Sequence, residues 1–177
     1  MYARSTTLGI LAAVALGLRT LPEPAFTLDS TGAVRLHAEG AEARYEVVPL
    51  AVRGRPIVAL SLGGQTGAGA IYLALPGNRV PAPGRYPIRS SWDAIGSDAA
   101  FHASFMAGTA ERPLGWFQGE SGTVTITETS DGRIAGSFEL RARGFLGADP
   151  ADESQWVSVR GRFAAEGEGT EALVSAQ

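Results

Sequence analysis

From Val34 onward, apolar and polar positions alternate in short runs separated by glycine, proline and aspartate. That period of two marks half-buried strands rather than helices. Val34 and Leu36 alternate with Arg35 and His37, predicting one strand, and Tyr45 to Val52 predicts a second, with Pro49 at an edge or a bulge. Ile57–Leu62 and Ala70–Leu75 are dense apolar runs on either side of the loop Gly63–Gly69 (GGQTGAG). They read as a hairpin with apolar residues on both faces, hence a central place covered on each side. Pro83-Gly84 turns the chain into a further strand toward Ile88, and Phe101, Ala103 and Phe105 alternate with His102 and Ser104. Leu114 to Phe117 reads as a short strand or an aromatic loop.

The register is most legible between Ser121 and Ala165. A two-residue turn at Asp131-Gly132 would set Val124 opposite Glu139 and mix apolar with polar residues on both faces, which a half-buried sheet resists. A three-residue loop with Gly132 left-handed shifts the pairing by one. Val124 then faces Phe138, Ile126 faces Gly136, Thr125 faces Ser137 and Thr123 faces Glu139. Pairing Leu140 with Val157 adds a third strand, with Gly136 beside Gly161 and Ile134 beside Phe163. One face is then Val124, Ile126, Ile134, Phe138, Leu140, Val157, Val159 and Phe163. The other carries Thr125, Thr127, Ser137, Glu139, Arg141, Ser158, Arg160 and Arg162, and reads as solvated, with Glu139 diagonal to Arg160. The two adjacent glycines leave a groove on the apolar face that Phe105, Phe117 or Trp116 from a facing layer could fill. A second layer favours an antiparallel two-layer sandwich, with a closed lipocalin-like barrel as the alternative.

The amino terminus has a different pattern. Arg4 precedes an uncharged run from Leu8 to Leu18. As a helix this run would span about 16 Å, short of a bilayer core of about 30 Å. Its length fits the apolar region of an export signal. The expected organisation is a signal-like helix over residues 1–19, a linker over 20–30, one β domain over 31–165 and a flexible tail over 166–177. Periplasmic or secreted localisation follows, with membrane contact only through the amino-terminal segment if it is retained.

Composition narrows the chemistry. The 23 glycines and 10 prolines suit many strands joined by turns. All 15 basic residues are arginine, so neither a Schiff-base lysine nor a P-loop lysine exists. That excludes a phosphate-cradling reading of GGQTGAG, which a strand-like IYLAL follows. There is no cysteine, which excludes disulfides, thiolate nucleophiles and zinc–cysteine sites. Net charge is −3 without a long basic run, which argues against nucleic acid.

No catalytic, cofactor or metal residue is assigned. His37 and His102 both fall on the polar parity of their strands and read as solvated or locally bonded. His102 and Ser104 share a strand face, but no G-x-S-x-G accompanies them. Asp149, Asp152 and Glu153 gather in the loop Gly144–Ser154, as do Asp93 and Asp98 around Ile95-Gly96; both groups read as solvated loops, the first leaving calcium open. Trp92, Trp116 and Trp156 lie near strand ends. Trp116 and Phe117 after Pro113, together with Trp92, are the candidates for stacking on a sugar or a peptide. Trp156 falls on the polar face, opposite Arg141, where a cation–π contact would account for it.

Ser121 to Thr127 (SGTVTIT), Gly136-Ser137-Phe138, Gly161-Arg162-Phe163 and Pro83-Gly84-Arg85-Tyr86 together resemble uncharacterised exported β-sandwich domains of bacterial envelope proteins. The likeness covers roughly residues 55 to 165, and its motifs are structural. It implies a fold and a compartment, and no functional residue. Where many such proteins carry a lipid-attachment cysteine, this chain has none. The expectation is a non-catalytic exported or cell-envelope domain whose ligand or partner the sequence does not identify, an envelope protein or a glycan being the candidates. A glycan-acting enzyme using carboxylates, and a carrier of a small apolar ligand, are the alternatives.

Overall fold

The computed structural model describes residues 25–52, 55–63, 68–90, 99–147 and 154–167. Within them the chain is all-β, with no helix and hence none long and apolar enough to cross a membrane. The helix expected at the amino terminus lies outside the described residues.

Ten strands follow one another. They are β1 (Phe26–Gly32), β2 (Leu36–Gly40), β3 (Ala43–Val52), β4 (Arg55–Leu62) and β5 (Gly69–Pro76), then β6 (Gly84–Arg89), β7 (His102–Gly108), β8 (Pro113–Ser130), β9 (Arg133–Leu146) and β10 (Gln155–Glu166). Strand β1 begins within the stretch expected to be a linker, 20–30, so the domain takes in Phe26–Ser30 as well. All ten strands belong to one antiparallel sheet in the order β2-β1-β10-β3-β4-β5-β7-β8-β6, with β9 paired to both β10 and β8. The exceptions to antiparallel pairing are Glu166 beside Arg44, where β10 meets β3, and the bridge between Ile88 and Phe101.

Two long strands serve two neighbours on one edge. Strand β8 pairs with β7 over Pro113–Gln118 and with β6 over Ser121–Ile126. Its ladder to β9 slips by one residue between Gly119 and Ser121, where the hand-over occurs. A bulge there bends the strand so that each half meets a different partner. Strand β10 likewise pairs with β1 from Val157 to Phe163 before meeting β3.

The β8–β9 register is the expected one: Val124 faces Phe138, Thr125 faces Ser137 and Ile126 faces Gly136. Its cause differs. The turn at Asp131-Gly132 has two residues after all, with Ser130 opposite Arg133 and Thr129 opposite Ile134. The one-residue shift comes from a bulge at Thr127, between the pairs Ile126–Gly136 and Glu128–Ala135. Gly132 does adopt the left-handed conformation, with φ at 74°.

The β9–β10 register is two residues away from the one expected. Leu140 faces Val159, Phe138 faces Gly161, Gly136 faces Phe163 and Ile134 faces Ala165. A slip of two preserves which side chains point inward, so the burial pattern survives. The glycine groove does not form. Each glycine is covered by the phenylalanine opposite it, Gly161 by Phe138 and Gly136 by Phe163, and those rings stack with centroids 6.5 Å apart. Phe105 and Phe117 stack on one another elsewhere in the core, and Trp116 points outward.

The inward faces of all ten strands meet in one apolar cluster that includes Leu28, Leu60, Leu73, Phe101, Phe105, Phe117, Val124 and Ile134. Strand β4 is buried on both faces, as its sequence predicts: Ile57 and Ala59 join Ala74 of β5 in a second, smaller cluster. Each buried leucine or phenylalanine stabilises the fold by roughly 1.5–3 kcal/mol.

Candidate functional site

Alternation puts the remaining side chains of β6, β8, β9, β10, β1 and β2 on the outer surface, and the pairings align them in rows. One row runs Arg89, Ser121, Arg141, Ser158, Thr31. The next runs Pro87, Thr123, Glu139, Arg160, Asp29, His37. A third runs Arg85, Thr125, Ser137, Arg162, Thr27, Glu39. Neighbouring strands are about 4.8 Å apart, so each row crosses roughly 20 Å or more of sheet.

The middle of this face is concave. A depression of about 460 Å³ is lined by the outward residues of the second and third rows, with Arg85 on the β6 side and Arg160 and Arg162 on the β10 side. A hollow of about 410 Å³ continues it along Asp29, Glu139, Ser158 and Arg160, and another of about 410 Å³ along Thr27, Arg133 and Arg162.

The wall carrying Arg85 is fixed by its inward neighbours. Tyr86 points to the core side, where its ring meets Phe101 edge-on at 5.7 Å. Its hydroxyl donates to the Ala82 carbonyl at 2.7 Å, closing the proline–glycine turn. Thr129 of β8 donates to the Pro81 carbonyl at 2.7 Å and ties that turn down. With Tyr86 held inward, Arg85 must face out.

Among the described residues, Arg85, Arg160 and Arg162 have neither an ion pair nor a side-chain hydrogen bond. Arg160 stands directly opposite Glu139, not diagonal to it as expected, and yet no carboxylate comes within ion-pair reach. Two other arginines of this face are engaged. The Arg141 guanidinium lies 4.2 Å from the centre of the Trp156 ring, the cation–π contact anticipated, although the residue directly opposite Trp156 is Arg143. Arg143 Nε lies 3.7 Å from Glu120.

At the far edge, the His37 Nδ1–H donates to Asp29 at 2.8 Å, and Nε2 lies 3.7 Å from Glu39. The hydrogen bond to Asp29 raises the His37 pKa above its ordinary 6.5, and Asp29 and Glu39 add attraction. His102 does not share that environment. It is buried, at 3 % exposure, because both faces of this part of β7 are covered; of the two expectations, solvated or locally bonded, the second holds. Burial lowers its pKa, against a hydrogen bond that the ring donates to the Arg89 backbone carbonyl, which raises it. Ser104 donates to Gln118 at 3.3 Å and is also buried.

Of the aromatic candidates, Trp92 lies outside the described residues, as do Asp93, Asp98, Asp149, Asp152 and Glu153. Gly144 to Leu146, taken as part of a loop, belong to β9. Trp116 is 41 % exposed on the outer face of β8, beside Met106 and Phe145, and lines a hollow of about 230 Å³ with Tyr72 and Ser104. Phe117 is fully buried. The two do not form one surface, because successive residues of a strand point to opposite faces. Sequence reasoning named Arg160 and Arg162 only as solvated residues, and missed Arg85 and Asp29. Their pairing with distant strands brings them to the depression, and nothing local in the sequence shows it. Among the described residues, no three histidine, aspartate or glutamate side chains are placed to hold a metal ion. No family model matches the chain, and no curated protein or solved structure matches it.

Proposed function

We propose that this chain is a non-catalytic binding domain of the bacterial cell envelope, exported through its amino-terminal segment, and that it holds its ligand on the polar face of β6, β8, β9, β10, β1 and β2. The observation that carries this reading is the concave row structure around the depression of about 460 Å³, with three unpaired arginines at its walls. Binding sites are concave and place a few convergent polar groups. Export rests on the apolar run Leu8–Leu18, which has the length of a signal.

The fold is read as a closed barrel rather than two separate layers. The path β3-β4-β5-β7-β8-β9-β10 returns to β3 through Glu166 and Arg44, and one core serves all of it. A carrier for an apolar ligand would need an open interior, whereas Phe105 and Phe117 stack on one another within the single core.

Co-sedimentation with a purified bacterial cell-wall preparation tests the reading. The chain should pellet with the wall, Ser137→Trp in the middle of the face should abolish pelleting, and Ser61→Trp on the opposite side should leave it intact. Equal pelleting of both variants, or none by the parent chain, overturns the proposal. Sequencing the amino terminus of the fractionated protein tests export, which requires a mature chain lacking Leu8–Leu18.

A second reading has one observation in its favour. Glu139 and Asp29 both line the depression, two strands apart, so that their Cα atoms stand about 10 Å from one another. Inverting glycosidases separate their carboxyl groups by about 6.5–9.5 Å. Against it, Asp29 is already engaged by His37. Release of reducing ends from cell-wall glycan, lost in Glu139→Gln, would favour the enzyme.

A further inference from the structure

We infer that the ligand of this face is an extended anionic glycan, carrying carboxylates that bridge Arg85 on one wall of the depression to Arg160 and Arg162 on the other. This inference rests on the binding-domain reading and names its ligand class.

Charge comes first. The three rows hold five arginines (Arg85, Arg89, Arg141, Arg160, Arg162) against three carboxylates (Asp29, Glu39, Glu139), in a chain whose overall charge is −3. The face is therefore opposite in sign to the molecule. Asp29 accepts a hydrogen bond from His37, which offsets part of its negative charge when the imidazole is protonated. The three arginines that line the depression have no partner among the described residues. A guanidinium presents a planar fork of donors that matches a carboxylate in a bidentate way.

Spacing comes next. In the third row Arg85 and Arg162 are three strands apart, which separates their Cα atoms by about 14 Å. A single small anion reaches one wall only. A short charged oligomer lying across the strands reaches both.

The floor gives the rest of the chemistry. Between the arginines lie Thr123, Thr125 and Ser137, half-buried hydroxyls that both donate and accept. They suit sugar hydroxyls. They offer no apolar pocket for peptide side chains. Glu139 within the depression opposes the continuous phosphate charge of a nucleic acid.

Calorimetric titration of the full chain with oligogalacturonate, its methyl-esterified form and inorganic phosphate tests the inference. The acid oligomer should bind, and raising the salt should weaken it. Arg85→Ala and Arg162→Ala should each weaken it about tenfold with unfolding midpoints unchanged. The esterified oligomer should bind at least about tenfold more weakly, and phosphate should not compete at equal concentration. Equal binding of acid and ester overturns the charge argument. Phosphate binding that depends on one wall alone overturns the bridging argument. No binding of any probe by a chain that still pellets with cell walls refutes the ligand class and leaves the binding-domain reading standing. Failure to pellet removes both.

Discussion

The ring of Phe138 covers Gly161, its direct cross-strand partner: a β-carbon built on Gly161 would stand 2.6 Å from Phe138 Cζ. On its other side the same carbon would run into the backbone oxygen of Thr27 in β1. Glycine here lets three strands and one ring approach closely. Gly161→Ala should therefore destabilise the domain by about 1–3 kcal/mol, despite the better strand propensity of alanine. A urea midpoint equal to the parent's would show that ring and strand yield freely.

Phe138 itself is 3 % exposed and stacked on Phe163. Truncation to alanine removes a buried ring and uncovers Gly161, so Phe138→Ala should cost about 3–5 kcal/mol in thermal or chemical unfolding. An unchanged melting temperature would take Phe138 out of the core.

The bulge at Thr127 makes an unusual prediction. Glu128 already faces Ala135 and Ile126 already faces Gly136, so deleting Thr127 joins two ladders that are in step. The deletion removes an outward residue whose hydroxyl donates to the Ala135 carbonyl at 3.2 Å. The deletion variant should fold with Val124 still opposite Phe138, seen as a cross-strand contact by NMR. Loss of that contact would mean that the ladder beyond Ile126 is not held by the pairing of its apolar faces.

The two histidines should titrate on opposite sides of 6.5. For His37, whose pKa is raised by Asp29, the stability contributed is complete below pH 6.5 and is lost as pH rises through the folded value. For His102, lowered by burial, the contribution is complete above 6.5 and declines as pH falls toward the folded value. Imidazole NMR titration measures both, and Asp29→Asn should bring His37 back toward 6.5. A His37 value at or below 6.5 in the parent chain would contradict the hydrogen bond.

The faces of β8, β9 and β10 were legible because alternation has a period of two: any register that keeps parity buries Val124, Phe138 and Val159. The step between β9 and β10 was not, since registers two residues apart bury the same side chains. What distinguishes them is the fit of Phe138 over Gly161 and Phe163 over Gly136, a three-dimensional match. Trp116 and Phe117 could have been separated from sequence, because adjacent strand residues face opposite ways. The binding face could not have been assembled. Arg85 reaches it through pairing of β6 with β8, and Asp29 through pairing of β1 with the far end of the chain, contacts of long sequence separation without a local signal.

Amide chemical-shift mapping of the labelled chain, titrated with a soluble acidic cell-wall oligosaccharide, locates the ligand on the sheet. Shifts should concentrate at Thr123, Thr125, Ser137, Arg160 and Arg162 if the ligand lies across the depression. Shifts confined to Ser61, Met106 and Trp116 around the opposite hollow would contradict it.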